Sequence, residues 1–158
     1  MPVRVTNTQR KIKIHPGRVR KSAEKVLSWA GLEGAELGVL ITGDRRMRTL
    51  NRRYRGMDRT TDVLSFSMSE AAKTGQVSPA VKVRGPSGPP VVLGDIVISA
   101  PRAAAQAAEA GHSTLDETLT LLVHGILHLL GYDHEAGGAE SRRMERREKA
   151  LLKLLKAR

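Results

Sequence analysis

Residues 121 to 134 read LLVHGILHLLGYDH. His124 and His128 are four positions apart, so on a helix their side chains lie one above the other and can grip a single metal ion. Gly131 can take the left-handed conformation that stops a helix and reverses the chain, bringing His134 back towards the pair. Three imidazoles around one point leave a fourth tetrahedral position for water. A metal so held lowers the pKa of that water to about 7, which is the chemistry of hydrolysis at neutral pH. The chain contains no cysteine, so thiolate ligands and disulfides are excluded and the donor set is that of an open, catalytic site. The expected metal is zinc, Zn2+, one per chain.

The competing reading is that histidines on an apolar helix are satisfied core residues, and Leu121, Leu122, Ile126, Leu127, Leu129 and Leu130 are core by their type and spacing. Three of the five histidines nevertheless fall between 124 and 134. Burying several imidazoles in such a run without a shared partner would be costly. The spacing H-x3-H-x2-G-x2-H also matches the long metzincin metalloprotease signature, except that Gly125 stands where that signature has its catalytic Glu. Without that carboxylate the usual base against a peptide bond is missing, and a peptidase would have to recruit Glu117, Asp95 or Asp133. Glycine inside a helix costs about 1 kcal/mol relative to alanine, so Gly125 is expected to leave space beside the metal. Tyr132 and Asp133, inside the motif, suit either outer hydrogen bonds to the histidines or packing and helix-end capping. His112 would approach the site or cap the helix after it, and His15 has no motif around it.

The elements that must position these residues follow from periodicity. Val3 to Asn7 alternates as a short strand, and the segment after Pro16 reads as a helix ending near Gly31 with Val19, Ala23, Val26, Leu27 and Ala30 on one face. Glu36 to Thr42 is β-like. Asp44 is the expected N-cap of a helix that stops at Gly56, with Met47, Leu50 and Tyr54 as its buried stripe. Asp62 to Met68 and Val91 to Ser99 read as strands separated by a Gly/Pro-rich segment, about 74–90, expected to be a flexible loop. Helices follow after Pro101 up to Gly111, from Thr114 or Leu115 to Leu130, and to Leu155. In the last, Met144, Leu151, Leu152 and Leu155 share a face that implies packing. The expected fold class is α+β, with a small mixed sheet of about four strands packed with about five helices and the metal site at the end of a helix.

Composition bounds the rest. A chain of 158 residues with 40% hydrophobic content suits one domain, 1–158. Lys and Arg outnumber Asp and Glu by 27 to 16, a net charge of +11 that favours an anionic partner such as nucleic acid, although membranes and acidic proteins attract the same charge. Aromatics make up only 3%, which argues against rows of base-stacking rings. The N-terminus has no apolar stretch resembling a signal peptide, and the longest apolar run is interrupted by two histidines, so a cytoplasmic protein without a membrane span is expected.

HGILHLLGYDH at 124 to 134 resembles the H-G-x-L-H-L-x-G-Y-D-H motif of the YbeY-type endoribonucleases that act in ribosomal RNA maturation, and LNRRYRGMDRTTDVLSF at 50 to 66 resembles that family's second signature. GHS at 111 to 113 and LGDIVIS at 93 to 99 are similar as well, and the resemblance runs from about Leu37 onward. It implies metal ligands at His124, His128 and His134, a catalytic arginine at Arg55, RNA as substrate and an α+β fold. The loop of about 74–90 is longer than in many members, and Ser67 stands where proline is common. Arg55 sits among Arg45, Arg46, Arg48, Arg52, Arg53 and Arg59, most of which are ordinary solvated charges. One guanidinium can bind a phosphate bidentately and offset the charge that grows in the transition state. The function expected from this resemblance is a single-strand-specific, metal-dependent endoribonuclease acting in ribosomal RNA maturation and ribosome quality control. A metal-bound water would attack phosphorus directly or help activate the 2′-OH. Ribosomal RNA and proteins of the small ribosomal subunit are the expected partners. The alternatives are a zinc metallopeptidase with a non-standard base and a non-catalytic ribosome-assembly factor with a structural metal. Gly125 argues against the first and an open three-ligand site against the second.

Overall fold

Leu37, Val39 and Ile41 alternate with more exposed neighbours and are buried, so one face of their strand is committed to a core. The computed structural model describes residues 2–68, 91–132 and 137–156; the segment of about 74–90, Asp133 and His134 lie outside the described residues. Among the described residues the chain forms β1 (Val3–Asn7), α1 (Pro16–Trp29), β2 (Glu36–Thr42), α2 (Asp44–Arg55), β3 (Val63–Ser67), β4 (Val92–Ser99), α3 (Ala100–Ala110), α4 (Thr114–Leu129) and α5 (Gly138–Lys156). This is the α+β arrangement expected, with four strands and five helices among the described residues.

The strand order is β1-β2-β4-β3, with β1, β2 and β4 mutually parallel and β3 antiparallel to β4 at the edge. Parallel neighbours cannot be joined by a tight turn, so α1 carries the chain from β1 to β2. The buried alternation along β4 divides the helices. Ile96 and Ile98 belong to the main core with residues of α1, α3, α4 and α5, whereas Val97 joins Met47 of α2 and Leu64 of β3 in a small cluster. α4 is the central helix: Leu122, Ile126, Leu127 and Leu129 are nearly inaccessible. Each such side chain contributes about 1.5–3 kcal/mol by leaving water, which fixes the helix that carries the histidines.

Two details of α2 differ from the expectation. Its N-cap is Gly43, and Asp44 is the first helical residue, where its carboxylate accepts from Thr60 Oγ1 at 3.0 Å and Ser99 Oγ at 2.8 Å. The carboxylate thus ties the helix start to β4 and the loop before β3, while also lying at the positive end of the helix dipole. The buried residues of α2 are Met47 and Asn51, with Leu50 half-buried, and Tyr54 is 58% exposed. Tyr54 meets Phe66 of the edge strand β3 edge-on at 5.3 Å instead of entering a core. The strand bounds shift by a residue: Asp62 and Met68 flank β3, and Val91 precedes β4. Asp62 Oδ1 instead accepts the Val63 N–H at 2.8 Å.

Candidate metal centre

α4 is started by Ser113, whose hydroxyl accepts the Asp116 N–H at 3.1 Å. It ends as the sequence suggests. Gly131 has φ 97, the Gly131 N–H bonds His128 O at 2.9 Å, and the Tyr132 N–H bonds Leu127 O at 3.0 Å. These two bonds form a Schellman motif, which satisfies the last carbonyls and turns the chain away from the helix axis. Tyr132, 4% exposed, packs in the main core and anchors that turn.

His124 and His128 therefore occupy the last turns of a rigid, capped helix. Their Nε2 atoms are 3.0 Å apart, with ring planes inclined at 68°. Two nitrogens about 2.0–2.1 Å from one zinc ion can have such a separation, so this pair of donors fits the metal. On its other side, His124 Nδ1 is 2.5 Å from Glu148 Oε1 of α5. Among the described residues no group of three His, Asp, Glu or Cys side chains forms a complete metal cluster. His134, expected as the third ligand, lies outside the described residues.

The two imidazoles open on a cavity of about 890 Å³ lined by α4, by β3 and its approach from Thr61 to Ser67, by Tyr54 and Arg55 at the end of α2, and by Glu148. Arg55, exposed in the last turn of α2, thus shares a cleft with the histidines although it lies 69 positions before His124. Tyr54 also lies under the Arg53 guanidinium, 5.6 Å from the ring centre. Ser65 Oγ donates to Gly125 O at 3.4 Å, pinning the sheet edge to the histidine helix.

Other residues singled out in the sequence sit elsewhere. A Cβ on Gly125 would meet three Ile96 side-chain carbons at 3.0, 3.1 and 3.2 Å. The missing side chain lets α4 approach β4, so Gly125 faces Ile96 and not, as the helical glycine had suggested, space beside a metal. His112 Nε2 is 2.7 Å from Glu117 Oε1, so these two engage each other across the first turn of α4. Asp95 is exposed and lines different cavities with Arg4 and Gly38. His15 precedes α1 without a side-chain capping bond.

Glu148 is the site residue that reading the sequence missed. A signal existed: Glu148 lies four residues after Met144 and three before Leu151, both buried, so this carboxylate interrupts the inward stripe of a predominantly basic amphipathic helix.

A model of the family described as endoribonuclease YbeY matches residues 4–156. The endoribonuclease YbeY of Geobacter metallireducens is 44% identical over 156 residues, covering 98% of this chain and 96% of the relative. That of Aquifex aeolicus is 44% identical over 155 residues, covering 98% and 93%. A solution structure of a Thermotoga maritima protein aligns with a TM-score of 0.63 at 24% identity, covering 97% of this chain and 88% of the other, a likeness of fold. Among the described residues no helix is long and apolar enough to cross a membrane.

Proposed function

Because the chain belongs to the endoribonuclease YbeY family, we propose that it is a single-strand-specific, metal-dependent endoribonuclease acting in ribosomal RNA maturation and ribosome quality control in the cytoplasm. Its ligands in this reading are His124, His128 and His134, its metal is zinc, and its partners are ribosomal RNA and proteins of the small ribosomal subunit. The observation that carries the reading is the pair of Nε2 atoms facing each other at 3.0 Å in the cleft that Arg55 also lines. Zinc bound there supplies Lewis acidity and an acidified water at neutral pH.

The chain's own residues do the rest. Arg55 binds oxygens of the scissile phosphate through its planar fork and offsets the charge that develops on them. Being exposed, its guanidinium can reach a substrate without rearranging the core. Tyr54 presents an exposed ring at the rim, the kind of surface on which an unpaired base stacks and a paired one cannot. The chain's excess of lysine and arginine attracts the backbone of a long anionic substrate.

One observation bears on the peptidase alternative: β3, an edge strand, lines the same cleft, and edge strands can pair with extended peptides. Against it, Gly125 occupies the position of the missing base and packs on Ile96. Zinc-loaded and zinc-stripped protein, incubated with single-stranded and duplex RNA and with a peptide library, separates the readings. Cleavage of single-stranded RNA by the loaded protein alone is expected. Peptide cleavage without RNA cleavage would establish the peptidase, and RNA binding without cleavage would favour the assembly factor.

A further inference from the structure

We propose that Glu148 is a positioning residue that holds His124 in the tautomer and ring orientation that present its Nε2 lone pair to a metal; the proposal rests on the metal-site reading above. The argument begins with hydrogen-bond inventory. A carboxylate only accepts, so the contact of 2.5 Å between Glu148 Oε1 and His124 Nδ1 assigns the proton to Nδ1. In a neutral imidazole the other nitrogen then carries no proton, and it is Nε2, the atom that faces His128 Nε2 at 3.0 Å. Without the carboxylate either nitrogen could carry the proton, and the Nε2–H tautomer would block ligation.

Placement supports the assignment. Glu148 lies on the buried stripe of α5 between Met144 and Leu151, both in the main core, so its backbone is fixed by packing on α4. Its side chain is 20% exposed and that of His124 26%, enough enclosure to keep water from competing freely for the contact. A carboxylate placed there only for solubility would face outward with Arg146, Arg147 and Lys149, which are exposed. Partners of this kind, donating no ligand atom, commonly change metal affinity by about 10- to 100-fold when removed.

The test uses the full chain, wild type, Glu148→Gln and Glu148→Ala, with two readouts besides RNA cleavage. Nitrogen-15 NMR of the histidine rings in metal-free protein, taken at about pH 8.5, two units above the ordinary imidazole value, reports the tautomer. The His124 signal should be Nδ1–H in the wild type and shift towards Nε2–H in Glu148→Ala. Zinc affinity by chelator competition should fall about 100-fold in Glu148→Ala and about 10-fold in Glu148→Gln, whose amide oxygen can still accept from Nδ1. Wild-type zinc affinity in Glu148→Ala, or an unchanged His124 tautomer, overturns the proposal. If Glu148→Ala fails to fold, Glu148→Gln decides: affinity equal to wild type overturns it and a fall of about 10-fold supports it. A wild-type protein that binds no zinc overturns the metal reading instead, and the tautomer spectrum still decides whether Glu148 sets the His124 proton.

Discussion

At the residue scale, the site depends on a few side chains with different tolerances. His128→Ala removes one nitrogen of the facing pair; elemental analysis should find about one zinc per wild-type chain and little in the variant, because the proposed open site has only three protein ligands. Full occupancy in that variant would show that the ligands are other residues. Arg55 makes a contrasting case. Its exposed side chain contributes little to folding, so Arg55→Ala should keep its melting behaviour and zinc content while RNA cleavage falls on the order of 10²–10³-fold. Arg55→Lys keeps the charge and loses the planar fork, so a comparably large loss would identify bidentate phosphate binding. Arg52→Ala and Arg53→Ala should mainly weaken binding. Cleavage by Arg55→Ala at the wild-type rate would reduce this arginine to part of the solvated surface.

At the element scale, the contact between α4 and β4 sets where the histidines sit. Gly125→Ala adds a Cβ against Ile96, which is wholly buried and has little room to yield. Overpacking of this kind costs about 1–3 kcal/mol, which outweighs the gain of about 1 kcal/mol in helix propensity at the upper end. Denaturant unfolding should therefore show net destabilisation, relieved in part when Ile96→Val is added; additive effects in that double-mutant cycle would mean that the two residues do not clash. The end of α2 is held differently. Arg48 donates from Nε at 2.9 Å and from Nη2 at 3.2 Å to the two oxygens of Asp58. This hydrogen-bonded pairing, chiefly, holds the Asp58 carboxyl below its usual range. A carboxylate depressed in the folded state adds stability above its unfolded pKa and loses it as pH falls through the folded value. Both groups are exposed, so the contribution is small and screened by salt. NMR titration should find Asp58 protonating at lower pH than an ordinary carboxylate, and Arg48→Gln should move the midpoint upward; an unmoved midpoint would mean that the ion pair does not persist in solution.

At the scale of the whole molecule, the excess of 27 basic over 16 acidic residues should dominate encounter with RNA. A protein that engages several phosphates releases counterions as it binds, so RNA affinity should drop by about 10³-fold or more between about 50 and 200 mM salt. A flat response would assign the charge to something other than RNA. Much of the fold was legible in the chain itself, because the signals are local. Alternation located Val3–Asn7, β-like residue types located Glu36–Thr42, and Gly56 marked the end of α2. The His124 and His128 spacing, closed by Gly131, foretold two imidazoles brought together at the end of a capped helix. Other features belong to the assembly. The exposure of Tyr54 depends on how α2 packs beside β3, the reason for Gly125 lies in Ile96 on another element, and Glu148 reaches His124 only because α5 packs on α4. Periodicity assigns each residue to a face of its own helix or strand, so it determined the elements and the histidine pair. Which faces meet depends on packing between elements distant in sequence, so only the tertiary structure brought Arg55, Glu148 and the imidazoles around one cleft.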